Sequence, residues 1–289
     1  MEEKGHVGSV GDFVERCLDL RVRNRRIAFR GQPRGDDRLL PSIGRRWEYG
    51  GRWKSFDAAD EVSLLQRFRR RIYPFEGGLS PLEALFVARH YGLPTRLLDW
   101  TANALYALYF ASTTHPREDG AVWAMRQRDR MVALNPFRLS AEARDENELL
   151  RAYPADGAHQ DCRDQVKVIF PVFNSPRIVA QDGVFTLHSR PHVPLEQYAN
   201  RPFPADDLDI QALYCWRIKA NRKPRIVREL NALGITQRIV FPDRDGVTRS
   251  LWEAEVLWDG QKIPRRRAGG RHKEITGVGS SPTSRESLN

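Results

Sequence analysis

With 289 residues, 40% of them hydrophobic and 29% charged, the chain can build a substantial core as one large domain or two small ones. It contains no apolar run of the ~18 residues a membrane span requires and no secretory-type leader, and Cys17, Cys162 and Cys215 form no C-x-x-C pair. Those features argue against a membrane protein, a disulfide scaffold and a zinc knuckle, and make the cytoplasm the expected compartment.

The net charge of +10 is concentrated between Arg16 and Lys54 and again after Gly260. Such basicity favours encounter with polyanions, nucleic acid or phosphorylated ligands, or else forms a solvated surface and tail. Residues 1–10 and 260–289 are expected to be disordered, leaving a single domain over 11–259.

In chain order, Gly11 to Asn24 reads as an amphipathic helix with Asp12 as a candidate cap, and Ile27-Ala28-Phe29-Arg30 as a short strand ending at Gly31. Trp47 to Phe56 reads as irregular. A long helix begins near Ala58 and ends before Pro74; Ser80 and Pro81 then open another that runs to Tyr91.

The densest stretch follows, from His90 to Ser112. Gly92 and Pro94 set a turn, Thr95 to Trp100 reads as strand-like, and Ala104, Leu105, Leu108 and Tyr109 recur at helical spacing after Asp99 or Thr101 as cap. Polar groups wedged between two apolar elements must satisfy one another or a ligand. Strands are expected at Ala121 to Met125, Val166 to Val172 and Leu213 to Ile218. A helix or turn leads from Arg177 into a strand ending at His188, and a helix from Lys223 to Leu233 is closed by Gly234. Residues 126–164 read as short helices and loops, Pro191 to Leu208 as a loop, and Ser250 to Trp258 as amphipathic.

No P-loop, no G-x-G-x-x-G and no H-E-x-x-H motif occurs, and no metal is expected. Asp243 and Asp245 resemble the opening of a calcium loop, but Ala254 stands where its bidentate Glu belongs, so they are read as turn formers. Arg30, Arg96 and Arg177 each lie in or beside an apolar segment, where a guanidinium needs a partner. That partner is either an acid (Asp99, Asp243 or Asp245) or an anionic ligand such as a pyrophosphate. Trp100 and Tyr109 are either core residues or platforms for a base or nicotinamide ring, and His90 is either structural or a base.

Taken together and in this order, Phe29-Arg30-Gly31-Gln32, Leu40-Pro41-Ser42, His90-Tyr91-Gly92-Leu93-Pro94-Thr95-Arg96-Leu97-Leu98-Asp99-Trp100-Thr101, Ala107-Leu108-Tyr109-Phe110-Ala111 and Asp119-Gly120-Ala121-Val122-Trp123 resemble the FRG domain. The Arg177 to Phe185 segment, Leu233-Gly234-Ile235 and Phe241 to Gly246 extend the resemblance. Arg89 departs from it, standing where the family usually has Gln. Ala102-Asn103-Ala104 and Arg244 are further departures.

FRG domains look similar to ADP-ribosyltransferases, which implies an α+β fold with a mixed, split sheet. It also implies NAD as substrate and transfer of ADP-ribose to protein or nucleic acid, in toxin or phage-defence biology. By that analogy Arg30, with Gly31 and Gln32, would hold the diphosphate. Thr95, Arg96, Asp99, Trp100, Thr101 and Tyr109 would line the nicotinamide side, with Gln181, Glu255 and His90 as catalytic candidates. A non-catalytic nucleotide or nucleic-acid binding module is the alternative.

Overall fold

The computed structural model describes residues 2–23, 27–127, 132–133, 166–171, 176–199, 210–244 and 246–251. Met1–Ser250 form one compact unit. The expected basic tail, Glu255, Asp245 and nearly all of 126–164 lie outside the described residues.

The strands are β1 (Glu2–His6), β2 (Ile27–Gln32), β3 (Arg46–Tyr49), β4 (Arg52–Ser55), β5 (Leu97–Thr101), β6 (Gly120–Gln127), β7 (Val132–Ala133), β8 (Val166–Phe170), β9 (Gly183–His188) and β10 (Ile210–Ile218). The helices are α1 (Val10–Arg23), α2 (Ala58–Ile72), α3 (Pro81–His90), α4 (Ala104–Ser112), α5 (Pro176–Ala180), α6 (Leu195–Ala199), α7 (Lys223–Ala232) and α8 (Gln237–Val240). The protein is α+β. Eight strands form one mixed sheet in the order β1-β10-β6-β2-β5-β9-β8-β7, and β3 and β4 form a separate hairpin.

Alternation along the central strands sorts side chains onto two faces. Ile27 and Phe29 of β2 join Val122 and Ala124 of β6 beneath α1, α4 and α7, in a core that includes Phe13, Leu108, Trp216 and Ile226. On the same face Leu97, Phe185 and Leu187 pack under Leu82, Leu85 and Phe86 of α3. Ala28, Leu98, Trp100, Trp123 and Met125 point the other way, against Leu39, Leu195 and Tyr198.

Two glycines let α4 lie directly on the sheet. A Cβ on Gly31 would fall on the Ala107 carbonyl oxygen, and one on Gly120 would press on that of Ala111. Lys223 is buried and fastens the same region, its ammonium donating to the carbonyls of Pro33 (2.6 Å), Thr114 (3.2 Å) and His115 (3.0 Å).

Several local expectations are corrected. Residues 1–10 are not wholly irregular, because β1 pairs in parallel with β10 and finds backbone partners there. Ser9, not Asp12, caps α1: its hydroxyl accepts from the Asp12 amide at 3.2 Å while the Asp12 carboxylate accepts from Gly8 at 3.1 Å. Asn103, not Asp99 or Thr101, caps α4 by accepting from Leu105 and Tyr106. Trp47 to Phe56 is the β3–β4 hairpin, since Gly50 and Gly51 both take the positive φ (58° and 75°) of a tight two-residue turn. Pro191 to Leu208 contains α6.

An arginine cluster at a split in the sheet

β2 and β5 are neighbours, yet they pair at one point, Phe29 opposite Thr101. Phe29 and Thr101 therefore share a face, and so do Asp99 and Leu97. Arg30, one residue on, belongs to the opposite face with Trp123. Its side chain nevertheless reaches across the split. Arg30 Nη1 donates to the Asp99 carbonyl at 2.8 Å and lies 3.6 Å from the Asp99 carboxylate.

Arg89, from α3 on the Asp99 face, holds that carboxylate with Nε at 3.0 and 3.1 Å and adds a contact through Nη2. Arg45 completes the group, its guanidinium donating to the Leu40 carbonyl at 2.8 and 3.0 Å while its charge bears on both Arg30 and Asp99.

Three guanidinium groups thus surround one carboxylate, and the titration behaviour follows. Burial would push the Asp99 carboxyl up, but Arg89, Arg30 and Arg45 together hold it below the ordinary carboxylate range. Burial and the charge of Arg45 pull Arg30 down to about 9 despite Asp99. The cluster carries more positive charge than Asp99 neutralises, and it opens to solvent at Asp99, whose side chain is 38% exposed against 13% for Arg30. Arg30 Nε is buried with no hydrogen-bond partner among the described residues.

Beside this cluster Arg177 stacks over Phe241 at 4.3 Å and lies 3.8 Å from Asp243. Asp243 also organises its own turn by accepting from the Gly246 amide at 2.7 Å. His90 is half-buried next to this pair; desolvation first, then Arg177, lowers its pKa against the pull of Asp243 and Glu76.

On the Arg30 face lies a buried polar row. The Trp100 indole donates to Thr186 Oγ1 at 3.1 Å, and Thr186 Oγ1 lies 2.9 Å from His188 Nε2. Burial, with the charge of Arg30 behind it, drives His188 down to about 3, so the ring is neutral.

The remaining expected site residues are placed elsewhere. Arg96 is paired at 2.7 Å with Glu61 of α2, which is itself fully buried and also accepts from the Arg96 amide. Thr95 is bound through its backbone to Ser42. Trp100 is 3% exposed and Tyr109 2% exposed, the latter donating to Gln237 Oε1 at 2.6 Å; both are core residues. Gln32 accepts from the Trp123 indole at 2.7 Å, and Gly31 serves the α4 contact. Thr101 donates to the Gln181 carbonyl, and the Gln181 amide donates to the Val240 carbonyl at 3.1 Å.

Sequence reasoning missed Arg45, Arg89, Glu61 and His188. Of these, Arg89 carried a signal, as the departure immediately before the His90-Tyr91-Gly92 run.

The family model for the FRG domain matches residues 25–120. The chain contains an FRG domain. The match takes in Phe29-Arg30-Gly31, Arg45, Arg89 and Asp99, so the arginine cluster, apart from Arg177 and Asp243, is built within it. No curated protein and no solved structure matches the chain. Among the described residues no helix is long and apolar enough to cross a membrane, and no group of His, Cys, Asp and Glu could hold a metal ion.

Proposed function

We propose that this FRG domain binds the diphosphate of a nucleotide at the arginine cluster, with NAD the first candidate. The observation that carries this reading is the surplus of guanidinium groups at the split: Arg30 and Arg89 contact Asp99, Arg45 adds its charge with Asp37 as a second acid near it, and one buried Arg30 donor is left over. A diphosphate offers several acceptor oxygens and the missing negative charge, and planar guanidinium groups suit it. Arg30 would be the central contact, Arg45 and Arg89 its flanks, and Asp99 the group that orients Arg89.

The fit to NAD is best on its anionic half. Trp100 and Tyr109 are enclosed in the core and offer no open face, so the nicotinamide would need other neighbours, and half-buried His90 beside Arg177 is one candidate. ADP-ribosyl transfer is the reaction such binding would serve. It breaks the glycosidic bond of NAD, nicotinamide leaves with the bonding pair, and the acceptor nucleophile forms the new bond as it gives up a proton. Gln181 is the candidate to hold the ribose among the described residues, and for this it would have to exchange its bond to Val240.

Full-length protein incubated with labelled NAD and cell lysate tests the reading. Release of nicotinamide or transfer of label that Arg30→Ala abolishes supports transferase chemistry. Binding of ADP-ribose without turnover, again lost in Arg30→Ala, supports a non-catalytic nucleotide module. Neither turnover nor binding refutes both.

A further inference from the structure

The β3–β4 hairpin follows Arg45 directly and is one of the places where large aromatic side chains are exposed, as Tyr73, Phe75 and Tyr91 are elsewhere. Cross-strand pairing places Arg46 opposite Ser55, Trp47 opposite Lys54, Glu48 opposite Trp53 and Tyr49 opposite Arg52. Trp47 anchors the base: its indole donates to the Ser42 carbonyl at 2.8 Å and its ring meets Phe56 edge-on at 6.4 Å. Beyond that anchor the ribbon is in solvent on both sides. Tyr49 is 91% and Trp53 58% exposed, and they stand on opposite faces of the pleat flanking the Gly50-Gly51 turn.

Exposed aromatic side chains gathered on one short ribbon mark an interaction surface more than scattered single ones do. What surrounds them is mostly cationic. Arg46 lies over the Trp53 ring at 5.4 Å, Arg52 stands beside Tyr49, and Lys54 lies over Phe56 while bridging to Asp60 at 2.9 Å. Glu48 is the one acid in the ribbon. From Asp60, α2 continues with Arg67, Arg69, Arg70 and Arg71, rising about 16 Å over eleven residues at 1.5 Å each.

We infer that the β3–β4 hairpin is a docking surface for single-stranded nucleic acid, with Tyr49 and Trp53 stacking on bases and Arg46, Arg52 and the α2 arginines following the phosphates. Exposed aromatic rings interleaved with Arg are the chemistry that holds unpaired bases, because every base presents a π-face while the backbone supplies the charge. A duplex hides those faces, so stacking selects the single strand. The inference is independent of the nucleotide reading, since none of these residues belongs to the diphosphate cluster. Arg45 connects the two places in the chain, so a strand held here would lie next to the cluster.

The test uses full-length protein and fluorescence anisotropy with labelled twelve-nucleotide oligo(dT), oligo(rU) and a twelve-base-pair duplex across a salt series. Tyr49→Ala/Trp53→Ala is expected to weaken single-strand binding about 10- to 100-fold at fixed salt, with little change in salt slope, unchanged duplex affinity and unchanged ADP-ribose binding. Arg46→Ala/Arg52→Ala is expected to reduce the slope against log salt by about 1.4, or ~0.7 per lost phosphate contact. The tighter of the two oligonucleotides identifies DNA or RNA as the strand. Because both variants change solvent-exposed side chains, their melting temperatures should match the parent's. Absence of single-strand binding in the parent, or single-strand affinity unaltered by Tyr49→Ala/Trp53→Ala, would overturn the inference. Equal loss of duplex binding would also overturn it, by assigning the surface to a groove and not to bases.

Discussion

Replacing Arg30 by Met separates what the arginine contributes to the fold from what it contributes to a ligand. In the folded protein the side chain is only 13% exposed, donates to the Asp99 carbonyl at 2.8 Å and lies among the charges of Arg45 and Arg89. Losing that bond and leaving the carbonyl unsatisfied costs about 1–3 kcal/mol. Removing a buried guanidinium from two like charges returns an amount of the same order. The net change in stability should therefore stay within about 2 kcal/mol, or a melting shift of less than ~8 °C for a domain of this size.

A diphosphate, by contrast, would lose two charge-assisted bonds of about 1.5–3 kcal/mol each, which corresponds to a 10²- to 10⁴-fold weaker complex. Differential scanning fluorimetry on the free proteins and calorimetric titration with ADP-ribose read the two effects apart. An Arg30→Met protein that melts near the parent and retains its ADP-ribose affinity within about threefold would refute the assignment of Arg30 to the anion.

Other expectations concern the frame of the site. His188 has its pKa lowered from 6.5 to about 3, so between those values the unfolded chain binds the extra proton and stability rises with pH. Acidification from pH 6.5 to 5 should cost about 2 kcal/mol through this group at 1.36 kcal/mol per unit, and urea denaturation of His188→Leu should show a correspondingly flatter profile. Gly31→Ala should destabilise by about 3 kcal/mol or more, because the methyl lands on the α4 backbone. Gly11→Ala, with open space around it, should be neutral or slightly stabilising in the same melting assay.

Burial raises the Glu61 pKa against the pull of Arg96, so this carboxyl favours the fold below its unfolded value near 4.5 and that advantage is lost as pH rises through its folded value. Glu61→Leu alone should cost about 3–5 kcal/mol by stranding Arg96, and Glu61→Leu/Arg96→Leu should recover most of it in equilibrium unfolding.

Elements governed by local chemistry were legible in the sequence. Ser80 and Pro81 announced α3, and the Ser80–Glu83 capping box that forms there is a four-residue matter. Ile27 to Arg30 announced β2, and Lys223 with Gly234 bracketed α7. Arg30 with Asp99 and Arg177 with Asp243 were among the pairings open to a sequence reader, since both acids stand in the quoted motifs. What escaped depended on which face a residue takes in three dimensions. Glu61 sits in the first turn of a helix rich in charge, where an acid normally faces water, and only the packing of α2 on Arg96 reveals it as buried. Arg45 and Arg89 escaped as members of the cluster because long guanidinium side chains can swing to targets that spacing does not disclose. Trp100 and Tyr109 each have a polar end, and sequence alone could not tell that Thr186 and Gln237 satisfy them inside. The hairpin did carry a signal, Gly50-Gly51 between Trp- and Arg-rich flanks, which is a two-residue turn pattern.

The grip of Lys223 also bears on strand registration. In a sheet, a slip of one residue turns every side chain to the other face. For β2 that would carry Arg30 away from the split and under α4, and bring Phe29 or Gly31 into its place. Lys223 holds Pro33, the residue just past β2, to the same ammonium that holds Thr114 and His115 just past α4. Strand and helix are thus indexed to each other at one end, and Gly31 meshes with Ala107 like a tooth in a notch along their length. The Phe-Arg-Gly tripeptide keeps its arginine at the split because a lysine nearly two hundred residues later in the chain holds the strand against sliding.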